Sequence, residues 1–135
     1  MKDRINLKVK FREDFRPFAP VVTFEDQFKI FNLKQTSPYM LFATQINNEF
    51  ETQLPSITHV DNTSRIQAIK MSEDSFVHSL LKEFEKLSGF PVLINTSFNI
   101  AGEPIVEAPL EAIQTFLKTD IDVLVIENYL LTKLD

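Results

Sequence analysis

Three polar clusters hold most of the residue types that could do chemistry. The first is a basic stretch, Lys8-Val9-Lys10-Phe11-Arg12-Glu13-Asp14-Phe15-Arg16-Pro17-Phe18. In an extended chain Lys8, Lys10 and Arg12 project to one face, while Val9, Phe11 and Phe15 anchor the other. Arg16 precedes Pro17, which restricts its backbone and therefore its aim. Guanidinium forks grip phosphate in bidentate fashion and a lysine adds a point charge, so this stretch suits a phosphate or polyphosphate. Its phenylalanines are expected to fill the core rather than stack on bases. A solvated amphipathic terminus is the plainer alternative.

The second cluster is Thr58-His59-Val60-Asp61-Asn62-Thr63-Ser64-Arg65. Alternation puts Ile57, His59 and Asp61 on one side, and a turn then leads into a strand starting at Arg65. A lone histidine is more often a hydrogen-bonded structural residue than a ligand. The charge of Arg65 at a strand start wants a partner, either a phosphate or Asp61. The third cluster, Asn95-Thr96-Ser97-Phe98-Asn99, directly follows an apolar run. Ligands of open α/β sheets gather at the carboxyl ends of strands. Hydroxyl, amide and backbone donors there could hold oxyanions, and a simple polar loop is the alternative.

Composition narrows the field. The chain has 135 residues, no cysteine and two histidines, so thiolate chemistry is excluded and no metal site is expected. With only Gly89 and Gly102, no glycine-rich phosphate loop can be written. No paired-carboxylate site and no serine–histidine–carboxylate set stands out. Residues 1–16 carry six basic and three acidic side chains, whereas the remainder carries eight and sixteen. A nucleic-acid surface spreads its positive charge and has a high pI. The pI of about 5.0 argues against one and for a small anion. No apolar run spans a membrane and no secretory leader opens the chain, so a cytoplasmic location is expected.

The elements that must position these clusters follow from periodicity. Residues 73–88 read as a helix carrying Phe76, Val77, Leu80, Leu81, Phe84 and Leu87, capped by Ser72 or Asp74 and stopped by Gly89 and Pro91. A second helix spans 109–118 with Ala112, Ile113, Phe116 and Leu117 inward, and a short one lies around 25–31. Strands are expected at 19–23, 39–45, 57–59, 65–70, 91–95 and 123–126. The runs at 91–94 and 123–126 read as central strands covered on both faces. The fold class is α/β (α+β): one domain over 1–135, a twisted mixed sheet with helices packed on it.

These clusters resemble the C-terminal domain of the NodU/CmcH family of O-carbamoyltransferases. The matching blocks run from Ile5-Asn6 through Lys10–Pro20 and Ser37-Pro38-Tyr39-Met40. They continue through Thr58-His59-Val60-Asp61, Thr63, Arg65 and Gln67 to Pro91-Val92-Leu93 and Asn95–Asn99. Gly102–Val106 and Asp122–Ile126 complete them. The resemblance implies a YrdC-like fold, incomplete at the N-terminus. It also implies binding of carbamoyl phosphate and of ATP with Mg²⁺, and formation of carbamoyl-adenylate with release of pyrophosphate. A separate Kae1-like domain, the one that carries iron, would pass the carbamoyl group to a hydroxyl acceptor.

On this resemblance Lys10 and Arg16 contact phosphate, and Arg65 contacts the carbamate or α-phosphate. Ser97 and Asn99 hydrogen-bond phosphate or ribose. Arg12 either points into the site or partners Glu13 or Asp14; His59, Asp61 and Thr96 are secondary candidates. Family members carry a Gly-Arg-x-Glu-Phe-Gly-Pro-Arg-Ala-Leu-Gly stretch and the Kae1-like domain upstream of these blocks. This sequence shows neither, and it has Asn62 where the family usually has glycine and Ser64 where alanine is common. The chain is accordingly expected to need a partner for complete transfer. The alternative is a non-catalytic remnant or interaction module that keeps the fold.

Overall fold

A computed structural model describes residues 1–134. The chain forms two compact units: Pro17–Thr96, and a discontinuous unit made of Met1–Arg16 with Ser97–Asp135.

In the unit Pro17–Thr96, strand β1 (Ala19–Thr23) is central. It pairs in parallel with β4 (Gln67–Ile69) through Val21↔Gln67 and Val22↔Ala68, and antiparallel with β5 (Val92–Asn95) through Val21↔Leu93. Consecutive strand residues point to opposite faces, and the packing follows. Val21 joins Ile69 and Leu81 on the face covered by helix α4 (Ser75–Ser88). Val22 joins Phe31, Ile46, Ile57, Ile66 and Val92 in the larger core on the other side. Phe50 and Phe90 meet edge to face at 6.0 Å beside that core. Around it lie α2 (Gln27–Ile30), α3 (Asn48–Glu51) and the antiparallel pair β2 (Ala43–Gln45) and β3 (Thr63–Arg65).

Helix α4 is bounded as its sequence demands. The Asp74 carboxylate accepts from the Val77 N–H at 3.0 Å, and Gly89 takes φ 84, a left-handed conformation that favours glycine. Its apolar residues divide differently from expectation. Leu81 and His78 are buried, whereas Phe76, Leu80, Phe84 and Leu87 are exposed. The sheet covers one narrow stripe of the helix, and the apolar surface is wider than that.

In the other unit, residues 1–16 are not extended. They form α1 (Lys2–Ile5), a π-helical turn Asn6–Lys10, and Phe11 at φ 49, ψ 49. The expected alternation of Lys8, Lys10 and Arg12 on one face is therefore replaced by a turn, and Phe11 and Phe15 are exposed instead of buried. Helix α5 (Pro109–Lys118) begins with proline at its first position, and the Glu111 carboxylate accepts from the N–H groups of Glu107 and Ala108. Ala112 and Phe116 of α5 pack on Leu124 of the hairpin β6 (Val123–Ile126)–β7 (Tyr129–Thr132). Leu117, expected inward, is exposed.

The class is mixed α/β, with the strands distributed over three small sheets among the described residues. Neither apolar run occupies a central, two-faced position. β5 lies at the edge of its sheet, and β6 leaves Val123 and Val125 exposed in a two-stranded hairpin. Residues 57–59 form no strand, and residues 65–70 contribute to two short strands in different sheets. No helix among the described residues is long and apolar enough to cross a membrane.

Candidate functional site

The discontinuous unit contains a cleft of about 410 Å³ whose lining includes Lys10, Phe11, Arg12, Glu13, Arg16, Ser97, Asn99 and Gly102. Two distant stretches build it, and Lys10 joins them. The π-turn aims its ammonium at the residues after position 96. It donates to the Ser97 carbonyl at 2.8 Å, to Ser97 Oγ at 3.2 Å and to Asn99 Oδ1 at 2.6 Å. Three N–H groups thus meet three oxygens, which is what permits a lysine only 4% exposed. Burial, with the neighbouring charge of Arg12, still pushes the Lys10 pKa below its ordinary value.

The loop side is equally knitted. Ser97 Oγ donates to Asn99 Oδ1 at 2.7 Å, and Asn99 Nδ2 donates to the Glu103 carbonyl at 2.9 Å. The Ala101 N–H donates to the Lys10 carbonyl at 3.0 Å, so backbone as well as side chain closes the junction. Gly102 takes φ 81 in this bend, where a side chain would strain the backbone.

The arginines are aimed by Asn6, which is fully buried. Its Nδ2 donates to the carbonyls of Asp14 (3.1 Å) and Arg16 (2.8 Å), while its Oδ1 accepts from Arg12 Nε at 2.8 Å. One amide folds residues 11–16 back over the helical turn and fixes the root of the Arg12 guanidinium. Glu13 pairs with Arg16 at 2.9 Å and its charge also acts on Arg12, while the Asp14 backbone carbonyl accepts from Asn6. The Arg12 pKa is lowered, first by burial and then by the charge of Arg16. The charge of Glu13 acts on Arg12 in the opposite direction. Among the described residues no three His, Asp or Glu side chains gather as a metal site.

Four sequence candidates belong to the other unit. There the Asp61 carboxylate accepts from the Thr63 N–H (3.1 Å) and Thr63 Oγ1 (2.7 Å), which lowers its pKa. Because the Thr63 hydroxyl proton goes to Asp61, the contact of His59 Nδ1 with that oxygen at 3.1 Å puts a proton on Nδ1. Asn62 at φ 59 completes this turn in a left-handed conformation that asparagine tolerates. Asp61 is thereby the partner of Thr63. Arg65 is exposed at the end of β3, and its guanidinium makes no hydrogen bond or ion pair among the described residues. Thr96 is exposed.

Sequence reasoning missed Asn6 and the exposed ring of Phe11. A polar residue amid Ile5 and Leu7 at a helix-like spacing was the available signal for Asn6. Nothing in residue type announces a left-handed phenylalanine.

Residues 1–133 match the family model described as carbamoyltransferase C-terminus. The chain is 42% identical to nodulation protein NolNO of Sinorhizobium fredii and 41% identical to nodulation protein NolO of Bradyrhizobium diazoefficiens. Each match covers 98% of this chain, and 20% and 25% of those proteins respectively. Nodulation protein U of Rhizobium tropici is 44% identical over 76% of the chain and 18% of its own length. The chain spans a quarter or less of these curated relatives. It belongs to the carbamoyltransferase C-terminus family, the C-terminal domain of the NodU/CmcH carbamoyltransferases.

Proposed function

We propose that this chain is the carbamoyl-phosphate- and ATP-handling part of an O-carbamoyltransferase, forming carbamoyl-adenylate for a Kae1-like domain that transfers the carbamoyl group to a hydroxyl. The observation that carries this reading is the cationic cleft closed by Lys10, Ser97 and Asn99 and bordered by Arg12 and Arg16. It is built without a glycine loop and is the right chemistry for a phosphate chain.

The reaction balances in two steps. Water cleaves carbamoyl phosphate to carbamate and inorganic phosphate. A carbamate oxygen then attacks the α-phosphorus of ATP, and the bond to the β,γ-pyrophosphate breaks. Little covalent work falls to the protein; positioning and neutralising the phosphates is most of the catalysis. Arg16 contacts the phosphate chain, and Arg12 lends its charge from a root fixed by Asn6. Lys10 holds the Ser97–Asn99 bend in place and contributes its charge to the cleft it lines. Ser97 and Asn99, whose side chains bond each other and the Glu103 carbonyl, shape a bend that offers backbone N–H groups to phosphate or ribose.

Mg²⁺ bound with nucleotide usually takes one or two carboxylates, its other ligands being phosphate oxygens and waters. Glu13 is the carboxylate among the described residues that line the cleft, so the donor set fits. When bound, the ion supplies neutralisation of phosphate charge.

Pyrophosphate release tests the reading. Chain supplied with ATP and carbamoyl phosphate, alone and with a Kae1-like partner, is expected to release pyrophosphate only when both substrates are present. Absence of release in every combination would favour a non-catalytic module that keeps the fold.

A further inference from the structure

We propose that the ring of Phe11 is the stacking surface for the base of the nucleotide whose phosphates lie against Arg12 and Arg16. This rests on the reading of the cleft as a phosphate site and assigns its one aromatic wall. Among the described residues Phe11 is the only aromatic one lining the cleft, and it is half exposed. It takes no part in the apolar cluster of Ala112, Phe116 and Leu124 that forms this unit's core.

Its backbone conformation is what holds it there. Phe11 sits at φ 49, ψ 49, a region bulky side chains rarely occupy. Both flanking peptides are pinned: the Lys10 carbonyl accepts from the Ala101 N–H at 3.0 Å, and the Arg12 N–H donates to the Asn6 carbonyl at 2.9 Å. Such an unfavourable conformation persists only where the surroundings over-determine it, and such positions cluster at ligand sites. Here the outcome is a rigid apolar ring between two cationic residues.

The remaining polar side chains leave base recognition to the ring. Ser97 Oγ and Asn99 Oδ1 are bonded to each other, and Asn99 Nδ2 reaches the Glu103 carbonyl. Stacking on an aromatic face is tolerant of base identity. The ligand class is therefore a nucleoside triphosphate held by phosphate contacts and ring stacking, with little discrimination between bases.

Two probes separate the ring from the phosphate site: ATP, and inorganic tripolyphosphate, which lacks a base. Phe11→Ala is expected to weaken ATP binding about tenfold while leaving tripolyphosphate affinity unchanged, and Phe11→Tyr is expected to keep both. The chain has no tryptophan, so Phe11→Trp provides a single reporter. Its emission should be quenched saturably by ATP and not by tripolyphosphate. Equal loss of both probes in Phe11→Ala, or unchanged ATP affinity, would overturn the stacking role while leaving the phosphate reading intact. Wild-type chain that binds neither probe would overturn both. Thermal melting of each variant reports whether the fold survives.

Discussion

The Lys10 ammonium lies 2.6 Å from Oδ1 of Asn99, a residue 89 positions further along the chain. That contact, with the two to Ser97, joins the N-terminal turn to the bend that follows position 96 within one compact unit. Lys10→Met keeps much of the apolar stem and removes the charged donors. Hydrogen bonds to charged groups contribute about 1.5–3 kcal/mol each, offset by the relief of a desolvated charge. We expect a net loss of about 2 kcal/mol in urea unfolding. A change within 0.5 kcal/mol, roughly the scatter of neutral surface substitutions, would contradict the joining role.

Asn6 should matter as much without touching any ligand. Asn6→Ala deletes the acceptor of Arg12 Nε and both donors to the Asp14 and Arg16 carbonyls. At about 1 kcal/mol per bond, with a further penalty for buried groups left unpaired, the loss should reach about 3 kcal/mol. Asn6→Asp keeps the acceptor for Arg12 and loses the donors. Its melting temperature should fall between those of wild type and alanine.

Glu13 competes with a bound phosphate for the charge of Arg16. Their 2.9 Å pair is exposed, so breaking it costs little stability. In Mg²⁺-free buffer Glu13→Gln should raise tripolyphosphate affinity by about threefold, the scale of one weak exposed pair. Arg16→Gln should lower it about tenfold, the scale of one charge-assisted contact. Calorimetric titration at two salt concentrations checks both, and the Arg16 variant should show the shallower salt dependence.

Acid sensitivity is expected from the unit Pro17–Thr96. Burial opposes ionisation of Asp26, but hydrogen bonds from Thr23 Oγ1 (2.6 Å) and Lys82 Nζ (3.1 Å) outweigh it and lower its pKa. A carboxyl depressed in the folded state contributes stability that is whole above its unfolded value, about 3.8, and is lost as pH falls through the folded value. Asp26→Asn should therefore be less stable at pH 7 and should show a flatter stability curve below about pH 4. Urea midpoints measured from pH 7 to pH 2 decide it.

The parts of the fold legible in the sequence were those with local stop signals. The helix ending at Gly89 and the helix starting at Pro109 lie where expected, because a cap and a proline act on their own neighbours. Strand β1 was also placed residue for residue, yet its centrality was not. Continuous apolar character at 91–94 and 123–126 suggested central strands, and pairing with distant segments decided otherwise. Strand β7 went unseen because its turn, Glu127-Asn128, has no glycine and puts Glu127 at φ 51.

In the site, residue type identified Lys10, Arg12, Arg16, Ser97 and Asn99, and all five line one cleft. Their arrangement was not legible. Alternating Lys-x-Lys-x-Arg reads as a strand, whereas a buried asparagine holds it as a turn, and that depends on carbonyls of residues 14 and 16. Asp61 was, beside a phosphate, one of two partners open to Arg65 by sequence, but the shorter loop closed by Thr63 claims the carboxylate.

The most direct test of a phosphate-holding cleft is a two-dimensional amide NMR titration of labelled chain with inorganic tripolyphosphate. Saturable shifts should appear at Phe11, Arg12, Ile100 and Gly102 and should be abolished in an Arg12→Gln, Arg16→Gln double variant. A spectrum that does not move, or moves equally in that variant, would contradict the account.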